Sequence, residues 1–385
     1  MLSAVWRSTR IGPHLPLSSN VTRFTTKSSL QFSSIRQSAF LQCRQVRSRV
    51  SPPNSTIPPT KIPLTSLTSE ASKAPVVIEE VNPFQMYNQR KLLQPIVFCV
   101  LSSTLAFGIS TMVYEKRHKS FWQQVFDWKE RNGAFPQIGD KMDEYRQKYN
   151  RKLREVADWE MPLAIKRMYI MAWDKWNTMS DSQRTLSVLI GINTIVFGMW
   201  QIPRLTPFMS KWFLHHPLSG RSITLLTSTF SHQEFWHFGF NMFALYSFGE
   251  VTMRILGSEQ FVAFYLSTGL GASLVSHLVS AGFKARVFPS LGASGAIYGC
   301  LSACAYQFPQ ASVFLIFLPF VPIKIGYALP AMMSFDILGI LRGWNTFDHY
   351  AHLGGAGFGL LYMHYGEKYI WNNMQKAWKE YKDRL

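Results

Sequence analysis

Residues 290–299 have the sequence SLGASGAIYG, the most informative segment of this chain. Small residues flank Ser294 on both sides, and Gly295 and Gly299 are four apart, so a helix would place them on one face. Such a face lets two helices approach closely within a membrane. A serine at the start of the helix would also have free backbone N–H groups beside it, which can stabilise an oxyanion. The segment is therefore both a candidate packing motif and a candidate nucleophile site, and the two interpretations are compatible.

A matching pattern follows in residues 349–359, with the sequence HYAHLGGAGFG. On a helix, Gly355 and Gly359 lie on the same face as His352, so that face has almost no side chains besides the imidazole. It can pack against the small residues that follow Ser294 and bring the imidazole to the serine hydroxyl. The two matching faces favour Ser294 as a nucleophile and His352 as its base.

Three further residues fit the same site. His237 and Asn241 are four apart, so a helix places them on one face, and both side chains can donate hydrogen bonds to an oxyanion. The alternative is a polar pair that holds two membrane spans together. Tyr298 lies one turn after Ser294, where its ring is predicted to stack on His352; plain core packing is the alternative.

The composition indicates a membrane protein. The 385 residues are 47% apolar and only 16% charged, whereas soluble domains have about 25% charged residues. A membrane span needs about 20 apolar residues, and the sequence predicts seven spans. They cover residues 92–113, 185–202, 236–256, 260–281, 291–308, 325–342 and 349–367. The predicted fold class is an all-α polytopic membrane protein, in which one extra N-terminal span precedes a six-helix core over residues 185–367.

The remaining segments divide by composition. Residues 114–184 contain 15 basic and 11 acidic residues and are predicted to be a hydrophilic helical segment, either on the membrane surface or as a solvated hairpin. Residues 203–235 are too apolar for a solvated loop and too broken for a span, so they are predicted to rest on or half-enter the membrane. Residues 311–323 are predicted to be an extended or re-entrant connection, or an early start to the sixth span. Residues 368–385 form a charged C-terminal tail.

The N-terminal region has the composition of a mitochondrial transit peptide. Half of the net charge of +18 lies in residues 1–69, which contain nine Lys or Arg residues, many Ser and Thr residues, and no acid before Glu70. The alternative is a disordered basic tail that binds nucleic acid or anionic lipid. Residues 70–91 are predicted to be a linker.

The predicted catalytic residues include neither a carboxylate nor a metal ligand. No third carboxylate is evident in the right place beside Ser294 and His352. Asp336 and Asp348 are possible substitutes, but Asp348 is predicted to cap the last helix and Asp336 to be a structural acceptor, so neither is included among the catalytic residues. His349 and His352 are three apart, but the chain has no His-Glu-x-x-His run, which disfavours a zinc protease. No metal or other cofactor is predicted. The cysteines outside the transit peptide are interpreted as small buried hydrophobes: Cys99, Cys300 and Cys304.

Together these motifs resemble those of the rhomboid proteases, of the mitochondrial type. The matching pieces are His237-x-x-x-Asn241, Gly292-Ala293-Ser294-Gly295 with Tyr298 and Gly299, and Ala351-His352-x-Gly354-Gly355. They lie in the family's order on the second, fourth and sixth spans of the core, where rhomboids have them. The resemblance covers about residues 180–370, and the single span before the core resembles the one-plus-six layout of mitochondrial members.

The resemblance implies a serine endopeptidase of the mitochondrial inner membrane that uses a Ser294–His352 dyad. The Ser294 backbone N–H, His237 and Asn241 would hold the oxyanion. The supporting residues are Tyr298 and the glycines Gly292, Gly295, Gly299, Gly355 and Gly359.

The partners that the resemblance implies are the lipid bilayer and single-span membrane protein substrates. For mitochondrial members the substrates include a dynamin-like fusion GTPase and presequence-bearing precursors. No nucleic acid is expected. The alternatives are a catalytically inactive rhomboid-like scaffold and, with less support, a channel or transporter, since the chain lacks the repeated half-domains of many transporters.

Overall fold

The computed structural model describes residues 90–282, 289–315, 318–344 and 346–384. The predicted transit peptide, and the predicted linker up to residue 89, lie outside these ranges. Within them the chain is built of helices joined by short connections, with one two-stranded hairpin. The helices are α1 (Arg90–Asn132), α2 (Ile138–Ala157), α3 (Leu163–Thr178), α4 (Asp181–Trp200), α5 (Thr206–Trp212), α6 (Thr224–Thr227), α7 (Phe235–Leu256), α8 (Ser258–Gly282), α9 (Ser294–Gln307), α10 (Ile325–Arg342), α11 (His349–Leu361) and α12 (Asn372–Lys382). The strands are β1 (Ser312–Leu315) and β2 (Leu318–Lys324).

Several of these helices can cross a membrane. By length and composition, α1, α8 and α10 qualify in the described part of the chain, and α4 joins them if its continuation through Pro203–Trp212, bent by 96°, belongs to the same span. The other three predicted spans coincide with α7, α9 and α11. The chain is thus a mostly helical, polytopic membrane protein, and the arrangement of one span before six stays a prediction.

The central helix is α9, which contacts α7, α8, α10 and α11. Every residue from 295 to 305 is buried. At 1.5 Å per residue its 14 residues span about 21 Å, less than the hydrocarbon thickness of about 30 Å. Its apolar composition therefore reflects packing against other helices rather than contact with lipid.

Helix α1 is longer than the predicted span. The helix runs for 43 residues and continues past residue 113, because no proline or glycine occurs between Gly108 and Gly133, whose φ is 72°. Its first half packs on α8 and buries Cys99 and Phe107. Arg117 then forms ion pairs with Glu259 and Asp181, which lie in the first turns of α8 and α4. The predicted boundary at residue 113 therefore lies inside a helix.

The segments that the sequence left open are structured. Residues 311–323 take the extended alternative, since β1 and β2 pair antiparallel with Val313 opposite Ile323. The predicted C-terminal tail is helical, because π-helical turns over Tyr362–Trp371 lead into α12, which packs on α1.

The N-terminal ends of α1 and α9 lie at the same end of the bundle. Gln94, in the second turn of α1, lines a small cleft with His215 and His277. His215 pairs through its backbone with Ser290, with N–O distances of 2.9 and 3.0 Å, just before α9 begins at Ser294. The Arg117 ion pairs mark the opposite end of α8. The start of α9, with Ser294, therefore lies at the end of the bundle where α1 begins.

Candidate active site

Ser294 is the first residue of α9, after a turn that only glycine fits. Gly292 has φ 130°, which side chains rarely adopt, and its N–H donates to the Ser228 carbonyl at 2.9 Å. A Cβ on Gly292 would lie 2.9 Å from the His237 ring. The chain thus turns into the helix directly beside His237. Because first-turn N–H groups have no acceptor within their own helix, they are oriented for a ligand at the serine.

The structure brings the predicted nucleophile and base together. His352 Nε2, on α11, lies 3.0 Å from Ser294 Oγ, within the range of a hydrogen bond and of a nucleophile–base pair. The Tyr298 ring stacks on the imidazole with centroids 4.4 Å apart and planes 10° apart. Tyr298 therefore covers one face of the imidazole while Nε2 points to the serine.

Close packing of two glycine faces makes this contact possible. A Cβ on Gly355 would overlap the backbone of Gly295, and a Cβ on Gly359 would lie 2.7 Å from the Gly299 carbonyl oxygen. Helices α9 and α11 therefore touch through their backbones, as close approach at small residues requires. Larger residues here would move the helix that holds His352 away from the serine.

The expectation that no carboxylate lies beside the pair is wrong. Asp336, on α10, is 1% exposed, and its Oδ1 lies 3.0 Å from His352 Nδ1. The same oxygen lies 2.6 Å from His349 Nδ1, and the Tyr298 hydroxyl donates to Oδ2 at 2.8 Å. When His352 donates its Nδ1–H to this carboxylate, Nε2 is left as the acceptor for the Ser294 hydroxyl.

Asp348 occupies the helix-capping position that the sequence predicted. Its Oδ1 accepts the Ala351 N–H at 3.0 Å at the start of α11, and its Oδ2 accepts the Ser276 hydroxyl at 2.7 Å. The cap fixes the first turn of the helix that contains His352.

One group of side chains has the composition of a metal site. Asp336, His349 and His352 each place one ligand atom within 4.8 Å of the others. Both histidine nitrogens lie at hydrogen-bonding distance from one carboxylate oxygen, as expected of two N–H donors that share an acceptor. We therefore treat the group as a hydrogen-bond network, and the absence of a metal stays a prediction.

The two predicted oxyanion residues occupy different positions. The His237 ring lies against Gly292, next to Ser294. Asn241 lies one turn further along α7, and its Nδ2 donates to the His237 carbonyl at 2.8 Å. One of its two amide hydrogens is thus used within the helix, and the second remains to be donated elsewhere.

Sequence reasoning missed a second histidine beside the site. His232 is fully buried; its Nε2 accepts the Ala293 N–H at 3.3 Å, and its ring lies edge-on to that of His237 with centroids 5.0 Å apart. Together with the Ser228 carbonyl it fixes the two residues before the serine. Its spacing of five from His237 does not follow a helical face, so periodicity gave no signal.

A partly open cavity adjoins the serine. The empty space in and around it is about 310 Å³, which includes open solvent at its mouth. Its walls combine small residues with hydroxyl groups and the Asp348 carboxylate, and they include Ser228, Thr229, Ser273, Ser290 and Ser294. A cavity with such walls can hold water or a small polar group beside the nucleophile.

A bundle of apolar helices with a hydrogen-bonded serine–histidine pair in its interior is the arrangement typical of intramembrane serine proteases. The chain belongs to one family of that class, the rhomboids: the Rhomboid domain description matches residues 219–368. The similarity to whole relatives, given next, supports the same conclusion over most of the chain.

The relatives are mitochondrial rhomboids. The chain is 37% identical over 299 residues to the presenilin-associated rhomboid-like protein, mitochondrial, of Rattus norvegicus, which is 76% of this chain and 73% of the relative. The protein of the same name from Homo sapiens is 37% identical over 80% of this chain and 76% of its own. Rhomboid protein 1, mitochondrial, of Saccharomyces cerevisiae is 40% identical over 49% and 55%. The chain is thus a mitochondrial rhomboid and a multi-pass mitochondrial membrane protein.

Proposed function

We propose that the chain is an active intramembrane serine endopeptidase of the mitochondrial inner membrane that cleaves single-span membrane proteins. The observation that best supports this is the distance of 3.0 Å between Ser294 Oγ and His352 Nε2, with Asp336 on the other side of the imidazole. Such a geometry matches a nucleophile, a base and a group that orients the base. An inactive scaffold has no need to maintain all three.

In the proposed reaction Ser294 Oγ attacks the carbonyl carbon of the scissile bond while His352 Nε2 takes the hydroxyl proton. The carbon–nitrogen bond then breaks, and His352 returns that proton to the leaving amine. Water from the polar cavity then attacks the acyl-enzyme while His352 takes a proton from it; the ester bond to Ser294 Oγ breaks, and His352 returns the proton to Oγ. Asp336 stabilises the imidazolium that forms in each half-reaction.

The oxyanion is held by donors at the start of α9. The Ser294 N–H belongs to the first turn of the helix, and His237 lies beside it. We assign the third donor to the free amide hydrogen of Asn241. A single donor of this kind typically contributes about 2.7–4 kcal/mol to the stability of the transition state.

The substrate class follows from the family. Single-span proteins of the mitochondrial inner membrane, among them a dynamin-like fusion GTPase and presequence-bearing precursors, are the candidates. If the N-terminus enters the matrix with a transit peptide, the site, which lies at the end of the bundle where α1 begins, is on the matrix side. A membrane-impermeant fluorophosphonate should then label Ser294 in mitoplasts only after permeabilisation, and labelling of intact mitoplasts would contradict this orientation.

The activity is tested with purified protein in liposomes, a fluorophosphonate probe and a single-span substrate. We expect labelling and cleavage in the wild type, no labelling in Ser294→Ala, and no cleavage in Ser294→Ala or His352→Ala. Ser302→Ala, two turns along α9, is the matched control and should be labelled normally. Cleavage that survives Ser294→Ala would rule out the serine mechanism, and a folded wild type that cleaves no single-span substrate would favour the scaffold.

A further inference from the structure

His349 contacts the carboxylate of Asp336, which also contacts the base His352. The reaction above gives His349 no role. It lies one turn before His352 on α11 and is 3% exposed. Its Nδ1 is 2.6 Å from Asp336 Oδ1, shorter than the 3.0 Å from His352 Nδ1 to the same oxygen. The two imidazoles thus share one acceptor atom, and the shorter contact belongs to the residue that does not touch the serine.

The two rings point in different directions from that shared oxygen. Each donates from Nδ1, which leaves each Nε2 as an acceptor. His352 Nε2 faces the Ser294 hydroxyl. His349 Nε2 has no hydrogen-bond partner among the described residues, and it lies against the Cα of Gly339 on α10, where any Cβ would overlap the ring. His349 is therefore confined between α10 and α11.

Asp336 needs such a fixed partner because its position determines the tautomer of the base. The carboxylate lies on α10 and the base on α11, so its orientation depends on contacts between two helices. The Tyr298 hydroxyl fixes Oδ2. On Oδ1, His349 is the partner that stays in place while the His352 imidazole exchanges protons during the reaction.

We propose that His349 is a positioning residue, which holds Asp336 Oδ1 in line with His352 Nδ1 through its own Nδ1–H. The proposal depends on the proposed function, since it assigns a role within that reaction. His349 is not among the residues that line the cavity beside Ser294. Its loss should therefore lower kcat and leave KM nearly unchanged, because it alters the reacting groups and not the substrate site.

An isosteric pair of variants tests the donor. Asparagine can place an N–H where histidine has Nδ1. Leucine has nearly the same shape as asparagine but no hydrogen-bond donor. We expect His349→Leu to lower kcat by about 10- to 100-fold, the cost of a small misplacement of catalytic groups. His349→Asn should stay within about threefold of the wild type. If both variants fold, as judged by thermal denaturation, and His349→Asn is as slow as His349→Leu, the donor role is wrong.

A second pair tests the position of the ring even if His349→Leu fails to fold. Gly339→Ala should displace the ring and lower kcat at least tenfold, although the histidine is still present. In the double variant of Gly339→Ala and His349→Asn, the asparagine side chain is smaller than histidine and should leave room for the new methyl group. We therefore expect its kcat to equal that of His349→Asn alone. If the double variant instead loses kcat by the product of the two single losses, the proposal is wrong.

The controls separate this proposal from the proposed function. Gly357→Ala lies on α11 with no atom within 4 Å of its Cβ, and it should have normal kinetics. If Ser294→Ala remains active, the proposed function fails. If the wild type cleaves substrate in a Ser294-dependent manner and His349→Leu has the same kcat, only the role of His349 fails.

Discussion

The His352 imidazole lies flat against the ring of Tyr298, with centroids 4.4 Å apart and planes 10° apart. The same tyrosine donates its hydroxyl to Asp336, the carboxylate that His352 contacts through Nδ1. One side chain of α9 thus orients the base in two ways, by covering its face and by fixing its acceptor.

Two substitutions at Tyr298 separate these contributions. Tyr298→Phe removes a hydrogen bond to a charged group and keeps the ring, so we expect kcat to fall by about 10- to 30-fold, or roughly 1.5–2 kcal/mol. Tyr298→Leu also removes the stack and should be slower by a further factor of about 5 to 10. Steady-state cleavage in liposomes measures both. Equal rates for the two variants would mean that the ring contributes nothing to orientation.

The contact between Ser294 and His352 can be predicted from the sequence because its signals are local. On a helix, residues three, four and seven apart share a face, so the glycines after Ser294 and His352 show that both residues lie on faces that allow close helix contact. The same rule placed His237 and Asn241 together. It could not show that the Asn241 amide donates back to the His237 carbonyl, because asparagine side chains have a choice between local backbone and distant partners.

Asp336 could not be found in this way. It lies on α10, 16 residues before His352, beyond the turn that joins two helices. The spacing of residues along the chain carries no information on which side chains meet across such a turn, since that depends on how the helices cross. A buried acid within a span was a signal, but its partners became visible only in three dimensions. The same holds for His232, which reaches Ala293 from a connecting segment.

Substitution of Asp336 tests the corrected site directly. Asp336→Asn keeps the shape but can present an N–H to His352 Nδ1, which favours the tautomer with a proton on Nε2. That nitrogen then cannot accept the Ser294 proton, so we expect kcat and the rate of fluorophosphonate labelling to fall by about 100-fold or more. Glu250→Gln, which removes an acid from an exposed pair with Arg254 on α7, should leave both rates unchanged. If Asp336→Asn is labelled at the wild-type rate, Asp336 has no part in the reaction and the site is a simple dyad of Ser294 and His352.

Two glycines on α11 form a matched pair for testing the contact of α11 with α9. A Cβ on Gly355 would overlap the Gly295 backbone, and overpacking of this kind costs about 1–3 kcal/mol. Gly355→Ala should therefore lower the midpoint of thermal unfolding and move His352 away from Ser294, with loss of most activity. Gly357→Ala meets no atom within 4 Å, and alanine is favoured over glycine in a helix by about 0.5–1 kcal/mol. The unfolding midpoint of Gly357→Ala should equal that of the wild type or be slightly higher. If both variants lose stability and activity to a similar extent, the contact between Gly355 and Gly295 is not the cause of the loss.

The turn before the serine gives the last prediction. Gly292→Ala would combine the strain of φ 130°, about 1–3 kcal/mol, with a methyl group 2.9 Å from His237. We expect both the stability and the labelling rate of Ser294 to fall, because the ring that borders the oxyanion position must move. Gly343→Ala is the control for strain alone, since Gly343 has φ 67° at the end of α10 and open space around its Cβ. That variant should lose stability and keep its labelling rate. If the folded fraction of Gly292→Ala reacts with fluorophosphonate as fast as the wild type, then His237 does not depend on Gly292 for its position, and the close contact between them has no part in the reaction.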